Sequence, residues 1–221
     1  MSCYRKNIGQ GIQQYNLLVF RVILFTFFVY IVCSSKLDLA FVIDAGAGSE
    51  QGGKEKMAET MEFGRRVASA FKVSPEETHI GLITYATDAQ VMMNFHRYSD
   101  PDAIVEARDA VRVKPHTGKY TGQALQLAKE GLFDSGHRTD ALDVVVLLTD
   151  GPSSDDVTLP SRALRDMGVK IITVGIGQDV DRNQLDDIAS DPDEEHVFTA
   201  DYDSLATIIG RTQRAACVGK R

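Results

Sequence analysis

Apolar and polar positions along the chain follow two periods, one typical of buried strands and one typical of amphipathic helices. Residues 39–43, 144–148 and 169–174 are largely apolar runs rich in Leu, Val and Ile, each about the length of one strand. Such runs are typical of strands that are buried on both faces, as in a parallel sheet. Between the first two runs, residues 54–71 place apolar side chains on one helical face. The pattern therefore alternates between strand and helix.

Extended over the whole chain, this pattern predicts twelve elements. Strands are predicted at Leu37–Asp44, His79–Tyr85, Gln90–Phe95, Leu142–Thr149, Val169–Val174 and His196–Phe198, and helices at Lys54–Phe71, Pro101–Val111, Thr121–Leu132, Leu159–Met167, Asp181–Ser190 and Ser204–Cys217. The short connection between the second and third strands predicts a hairpin. Alternating strands and helices are typical of an α/β fold, here a doubly wound, mostly parallel central sheet with helices on both faces (Rossmann-like).

The first 35 residues are typical of a targeting segment. A basic start at Arg5 and Lys6 precedes the apolar stretch 17–33, and small residues follow it. This layout predicts a secretory signal peptide, and therefore a secreted, extracellular protein. An uncleaved signal anchor is the alternative, but Arg21 leaves an uninterrupted apolar stretch that is short for a membrane span. The predicted organisation is thus a leader (1–35), one domain (37–216) and a short tail (217–221).

Charge and cysteine content narrow the classes of partner and the compartment. The net charge is −7, and the first 35 residues hold three basic residues and no acidic one, so the remainder is more acidic still. Such a balance argues against general affinity for nucleic acid or for anionic membranes. Of the three cysteines, Cys33 and Cys217 are a possible disulfide between the two ends of the domain. That pairing requires a leader cleavage that keeps Cys33.

Two aspartates follow buried parallel strands and are the first candidates for chemistry. Asp44 ends the first strand, and Asp150 follows the fourth. In open α/β sheets, ligands bind at the carboxyl ends of the strands. The loop 116–122 lies between these two positions in the sequence and carries Lys119 and Tyr120. These loops are therefore the place to look for a site.

Residues 37–216 resemble a von Willebrand factor type A (vWA) domain of the extracellular-matrix type, similar to those of matrilins and collagen VI. The motifs that carry this resemblance occur in the family's order along the chain: Leu37–Asp44, His79–Tyr85, Thr121–Leu125, Val146–Gly151, Gly168–Gly177 and Ile188–Phe198. The resemblance implies a protein-binding or cell-adhesion module of the extracellular matrix and no enzymatic activity. Its expected partners are extracellular proteins, such as collagen or another matrix protein, with no stable membrane insertion after the leader is removed.

Many members of that family carry a metal-ion-dependent adhesion site (MIDAS), whose pattern this chain keeps only in part. The pattern is Asp-x-Ser-x-Ser after the first strand, a threonine in the middle loop and an aspartate after the fourth strand. Asp44 and Asp150 match it, whereas the two serines fall on Gly46 and Gly48 and the threonine falls on Lys119. Carboxylates and hydroxyls suit the oxygen ligation of Mg²⁺, whereas an ammonium repels the ion.

The degenerate pattern leaves several interpretations open. Lys119 is placed to neutralise the two carboxylates without a metal, or Mg²⁺ binds weakly to Asp44 and Asp150 with a hydroxyl from Ser49. A further interpretation is that the aspartates only hold loop N–H groups. The predicted partner-binding face comprises Asp44, Ser49, Lys119, Tyr120 and Asp150. The alternative function is a structural matrix component in which this face is inert.

An NTPase is a less favoured alternative from a different class. Residues 48–54 fit the phosphate-loop pattern G-x-x-x-x-G-K and follow a strand. However, Glu55 stands where Ser or Thr should hold Mg²⁺, and its charge would face the phosphates. The five histidines show no metal-ligand spacing and no neighbouring nucleophile. The sequence therefore predicts no catalytic residues.

Overall fold

A six-stranded sheet forms the centre of the part of the chain that the structure, a computed structural model, describes: residues 36–46, 53–96, 100–111 and 118–217. All of these lie in one compact unit, residues 32–221. The strands are β1 (Leu37–Asp44), β2 (Thr78–Tyr85), β3 (Ala89–Met93), β4 (Leu142–Thr149), β5 (Lys170–Ile176) and β6 (Val197–Ala200). The predicted bounds of β1 and β4 are the observed ones.

The strands are ordered β3-β2-β1-β4-β5-β6, and all neighbours are parallel except the β2–β3 hairpin. This is the order of a doubly wound sheet with one antiparallel edge strand, so the predicted fold class is confirmed. In register, Asp44 lies opposite Tyr85 of β2, and Ile43 lies opposite Leu148 of β4. We call the edge at the carboxyl ends of the parallel strands the upper edge and the opposite one the lower edge. Asp44 and Asp150 therefore share the upper edge.

Helices connect the strands on both faces of the sheet. They are α1 (Gly53–Ala68), α2 (Asp102–Glu106), α3 (Thr121–Ala128), α4 (Thr158–Asp166), α5 (Arg182–Ile188), α6 (Asp193–His196) and α7 (Ile209–Cys217). Three predicted helices are divided. A 3₁₀ turn (Ala107–Ala110) follows α2, a π-helical turn (Lys129–Phe133) and a last turn (Asp134–Gly136) follow α3, and another 3₁₀ turn (Tyr202–Thr207) precedes α7. Gly168, at φ +95°, ends the fourth helical segment as predicted.

The core has two layers because β1 is buried on both faces. Leu39, Phe41 and Ile43 belong to one apolar cluster, together with side chains of α1 and α7. Ala40 and Val42 belong to the other, together with side chains of α3 and α4. Successive side chains of a strand point to opposite faces, so an unbroken apolar run is what a covered central strand requires.

Two predictions about the chain ends lie largely outside the described residues. The predicted leader, residues 1–35, is not among them, and within the described ranges no helix is long and apolar enough to cross a membrane. Cys217 at the end of α7 is disulfide-bonded. Since Cys33 is outside the described residues, its pairing with Cys217 stays a prediction.

Candidate functional site

Asp44 ends β1 as a buried carboxylate with two kinds of hydrogen-bond donor. The backbone N–H of Gly46 donates to its Oδ1 at 2.8 Å, and the hydroxyl of Thr149 on β4 donates to its Oδ2 at 3.3 Å. The first contact is the local turn that aspartates commonly form with a backbone N–H two residues on. One oxygen of Asp44 therefore holds the loop, and the other faces β4 and the site.

The ammonium of Lys119 lies between the two aspartates of the upper edge. Its Nζ is 3.0 Å from Asp44 Oδ2 and is also in contact with Asp150 Oδ1. The exposed fractions of the three side chains are only 19% for Lys119, 3% for Asp44 and 15% for Asp150. Charges held this far from water interact more strongly than charges on an open surface. The structure thus brings together one cation and two anions that are far apart in the sequence.

Tyr202, in the 3₁₀ turn before α7, is a fourth member of the site. Its hydroxyl donates to Asp150 Oδ2 at 2.9 Å, so each carboxylate oxygen of Asp150 has a donor. The Nζ of Lys56 on α1 lies 5.5 Å from the centre of the Tyr202 ring, within the range of a cation–π contact. Sequence reasoning missed Tyr202, and a tyrosine in an acidic loop gives no signal that would have found it.

The loop after β4 holds the backbone of Lys119 from both sides. The N–H of Lys119 donates to Ser154 Oγ at 3.1 Å, and its carbonyl accepts from Ser154 N–H at 2.6 Å and from Ser153 Oγ at 3.2 Å. Ser153 Oγ also accepts from Thr121 N–H at 3.1 Å. These bonds fix the backbone from which the ammonium reaches the carboxylates.

Asp155 in the same loop binds the first turn of α3. Its two carboxylate oxygens accept from the N–H groups of Gly122 and Gln123 at 2.9 and 2.8 Å, which satisfies two donors of the helix N-terminus. A Cβ at Gly122 would lie 2.0 Å from the carbonyl oxygen of Asp156, so only glycine fits there. The Ser-Ser-Asp-Asp run 153–156 precedes α4 in the sequence, so nothing in it signals that Asp155 binds the start of α3.

Tyr85 lies beneath the site at the end of β2. Burial, and then the charge of Asp44, raise the pKa of Tyr85 above its usual value, so the phenol stays neutral. Thr121 Oγ1 donates to its hydroxyl oxygen at 3.2 Å. The floor of the site is therefore made of neutral hydroxyl groups.

The remaining predicted site residues are placed as follows. Tyr120 precedes α3, and its N–H donates to the carbonyl of Ala86 in the β2–β3 loop at 2.9 Å. Gly48 and Ser49 lie outside the described residues. Among the described residues, no group of three or more His, Cys, Asp or Glu side chains is arranged to hold a metal ion.

The donor set does not fit the divalent cation of a MIDAS. Gly46 contributes no side-chain oxygen, and Lys119 brings a positive charge to both carboxylates. Mg²⁺ requires an octahedral shell of oxygen ligands. A lysine supplies no oxygen, and its ammonium repels the ion.

The comparisons with known proteins agree with this fold. The family model described as von Willebrand factor type A domain matches residues 38–211. The chain belongs to this family. This match confirms the predicted likeness to vWA domains. The relatives described next, which include collagens and a matrilin, confirm that the likeness is to vWA domains of matrix proteins.

Curated relatives include collagens and a matrilin. The chain is 30% identical over 192 residues to the collagen alpha-1(XII) chain of Notophthalmus viridescens, covering 84% of this chain and 20% of the relative. It is 31% identical to the human collagen alpha-1(XX) chain (81% and 14%) and 29% identical to matrilin-1 of Gallus gallus (83% and 37%). The chain thus spans well under half the length of these relatives.

Solved structures of proximal thread matrix protein 1 from the mussel byssus share the fold. One aligns with a TM-score of 0.75 at 28% identity, covering 84% of this chain and 47% of that one. Another, described as having a zinc-occupied MIDAS motif, aligns with a TM-score of 0.73 at 29% identity (85% and 47%). A MIDAS that binds a divalent metal therefore occurs within this family.

Proposed function

We propose that this chain is a secreted vWA module that binds an extracellular protein, such as collagen or another matrix or adhesion protein, through a degenerate MIDAS. The binding face is the upper edge, with Asp44, Lys119, Tyr120 and Asp150; Ser49, which the sequence also predicts for this face, lies outside the described residues. The observation that carries the proposal is the ammonium of Lys119 in contact with the carboxylates of both Asp44 and Asp150. The fold and its matrix relatives support a protein partner; the ion pairs support binding without a metal.

Charge explains why such a face would not depend on a divalent ion. Two neighbouring carboxylates on one edge repel each other unless a cation lies between them. In this chain the cation is part of the protein, and the chain itself holds it in place. Removing free metal ions should therefore leave the face unchanged.

The test is binding to immobilised matrix proteins, measured by surface plasmon resonance with Mg²⁺ and with EDTA. We expect the same affinity in both buffers and a loss of about tenfold on Tyr120→Ala or Asp150→Asn, since contacts at the centre of an interface dominate affinity. Lys72→Ala is a matched control, because that side chain is 78% exposed beside the start of β2. Binding that requires Mg²⁺ and disappears in EDTA would contradict the proposal.

The second candidate is a structural matrix component with an inert upper edge. The internal pairing of both carboxylates favours it, because a saturated ion cluster offers less to a partner than an open one. In that case Tyr120→Ala and Asp150→Asn would leave partner binding intact. A nucleotide-binding enzyme is the least supported option, and calorimetry with ATP would exclude it if no heat of binding is measured.

A further inference from the structure

The ammonium of Lys119 is held more firmly than a typical surface lysine. Its backbone N–H and carbonyl are both bonded to Ser154, and a hydroxyl of Ser153 adds a third bond. Beyond the backbone, its side chain passes close to Gly151: a Cβ at Gly151 would lie 3.4–3.8 Å from Nζ, Cε and Cδ of Lys119. The side chain of Lys119 therefore has a fixed course across the loop, and its ammonium has a fixed position between the two carboxylates.

The carboxylates of Asp44 and Asp150 depend on this ammonium for the compensation of their charges. Asp44 is almost fully buried, and Asp150 and Lys119 are mostly buried. Removing one partner of a buried ion pair leaves an uncompensated charge, which is strongly destabilising. Without Lys119, the two carboxylates would face each other. Among the described residues, Asp44 Oδ2 would keep the hydroxyl of Thr149, and Asp150 Oδ2 would keep that of Tyr202.

We propose that the ammonium of Lys119 is a built-in cation that replaces the divalent metal, and that the upper edge contains a latent divalent-cation site closed by this side chain. The inference takes the degenerate site of the proposed function as its starting point, but it concerns the free domain and needs no partner. Two carboxylates and a threonine hydroxyl remain as oxygen donors once the ammonium is removed, a set that suits a hard divalent cation.

The test is thermal unfolding of wild type and Lys119→Met, each with EDTA and with 10 mM Mn²⁺ as the probe, a concentration on the order of what a weak, few-ligand site needs. Lys119→Met keeps most of the side-chain length and removes the charge. We expect its Tm in EDTA to fall by about 5–10 °C, and Mn²⁺ to restore about half of the loss or more. Wild type should show the same Tm in both buffers.

Three further variants test whether the fall in Tm and the response to Mn²⁺ arise from the charges at Lys119 and its carboxylates. Lys119→Arg keeps the charge and should behave as wild type towards Mn²⁺. Lys119→Met combined with Asp150→Asn should lose the response to Mn²⁺, since one of the two carboxylates is neutralised. Lys129→Met removes a lysine from a more exposed pair with Asp134, 26% and 41% exposed, and should change Tm by at most about 2 °C.

Saturable Mn²⁺ binding by wild type in electron paramagnetic resonance would overturn the proposal, because the ammonium would then not close the site. A Lys119→Met domain with the Tm of wild type, or one that is destabilised without any response to Mn²⁺, would also overturn it. If Lys119→Met does not fold, Lys119→Gln serves with the same expected outcomes. Failure of the wild type to bind any immobilised matrix protein in the surface plasmon resonance test would contradict the proposed function and leave these measurements unaffected.

Discussion

Strand β1 carries a buried aspartate near each end, and the two ends of the sheet use different cations to neutralise them. At the upper edge, Asp44 is paired with Lys119. At the lower edge, Asp38 is fully buried and is paired with Arg138 in the loop before β4, whose Nη2 lies 2.8 Å from Asp38 Oδ1. Both pairs join residues that are distant in sequence, yet their hydrogen bonding differs.

Arg138 joins three parts of the chain at the lower edge. Its N–H and Nε donate to the two oxygens of Asp38 at 2.6 and 2.9 Å. Its guanidinium also donates to backbone carbonyl oxygens of Leu37, Pro75 and Glu77, at 2.8–3.3 Å. A planar guanidinium with five donors suits this arrangement, in which one cation satisfies several acceptors.

The difference separates a structural ion pair from a candidate binding site. The arginine at the lower edge is bonded to a carboxylate and to backbone carbonyls, and these bonds connect β1 and the turn before β2 to the loop before β4. The lysine at the upper edge is a compact point charge in contact with two carboxylates. We therefore expect substitutions at the lower edge to affect stability alone.

The largest expected effect is that of Arg138→Met. Removing the guanidinium leaves Asp38 without its charge partner and three carbonyls without these donors, which should lower the free energy of unfolding by about 3–5 kcal/mol. Urea denaturation followed by circular dichroism measures this. Arg108→Met is the control, because its pair with Asp109 is exposed and should contribute less than about 0.5 kcal/mol. Equal effects of the two substitutions would show that Asp38 does not depend on its partner.

Gly122→Ala should be the next largest, and it acts at the upper edge. The added Cβ would lie 2.0 Å from the carbonyl oxygen of Asp156, so the loop after β4 has to move, at about 1–3 kcal/mol. The same denaturation experiment applies. Gly210→Ala is the control: it lies in α7 with its nearest atom at 3.7 Å and should stabilise by about 0.5–1 kcal/mol. A neutral Gly122→Ala would mean that α3 and the loop are not in close contact.

Tyr202→Phe should have a smaller effect that is confined to the upper edge. It removes the hydroxyl that donates to Asp150 Oδ2 and keeps the ring, so the expected loss is about 1–2 kcal/mol. Thermal unfolding measures it. Ser204→Ala is the control, since it removes an exposed hydrogen bond to the carbonyl of Asp201 in the same turn. If both variants lose the same stability, the contact with Asp150 contributes nothing specific.

The smallest expected effect is a pH dependence of stability. It arises at His196, which belongs to neither the upper-edge site nor the lower-edge ion pair. Burial, and then the charge of Lys170, lower the pKa of His196 below its ordinary value of 6.5. As the pH falls through that value, the unfolded chain takes up a proton that the folded chain does not, so stability decreases. Unfolding between pH 7.5 and 5.5 should therefore show a smaller loss of Tm for His196→Gln than for wild type. Parallel curves for the two proteins would contradict this.

The sequence predicts the sheet well because buried strands are marked by their own residues. The apolar runs of β1 and β4 each begin and end at polar residues, and both strands have the predicted bounds. The helices are predicted less well. The segment 101–111 contains a short α-helix followed by a 3₁₀ turn, and a π-helical turn follows α3; the apolar period does not distinguish these tighter or wider turns from an α-helix.

The candidate site likewise contains residues that the sequence indicates and residues that it does not. Asp44 and Asp150 are found by their positions after strands, and Lys119 is found because the threonine of the family's MIDAS pattern falls on it. Tyr202 is 52 residues from Asp150, and Asp155 is 33 residues from Gly122, so each contact depends on how α7 or α3 packs in three dimensions. No local sequence pattern indicates contacts between residues that are so far apart in the chain.

The parity of β1 has an evolutionary consequence. Asp38 and Asp44 are six residues apart, so both point to the same face of the sheet as Ala40 and Val42. Insertion or deletion of a single residue between them would turn one aspartate toward the opposite layer, away from its cation. Substitutions within the strand can leave both ion pairs in place, whereas a change of its length by one residue would break one of them. The length of β1 should therefore change more slowly than its sequence.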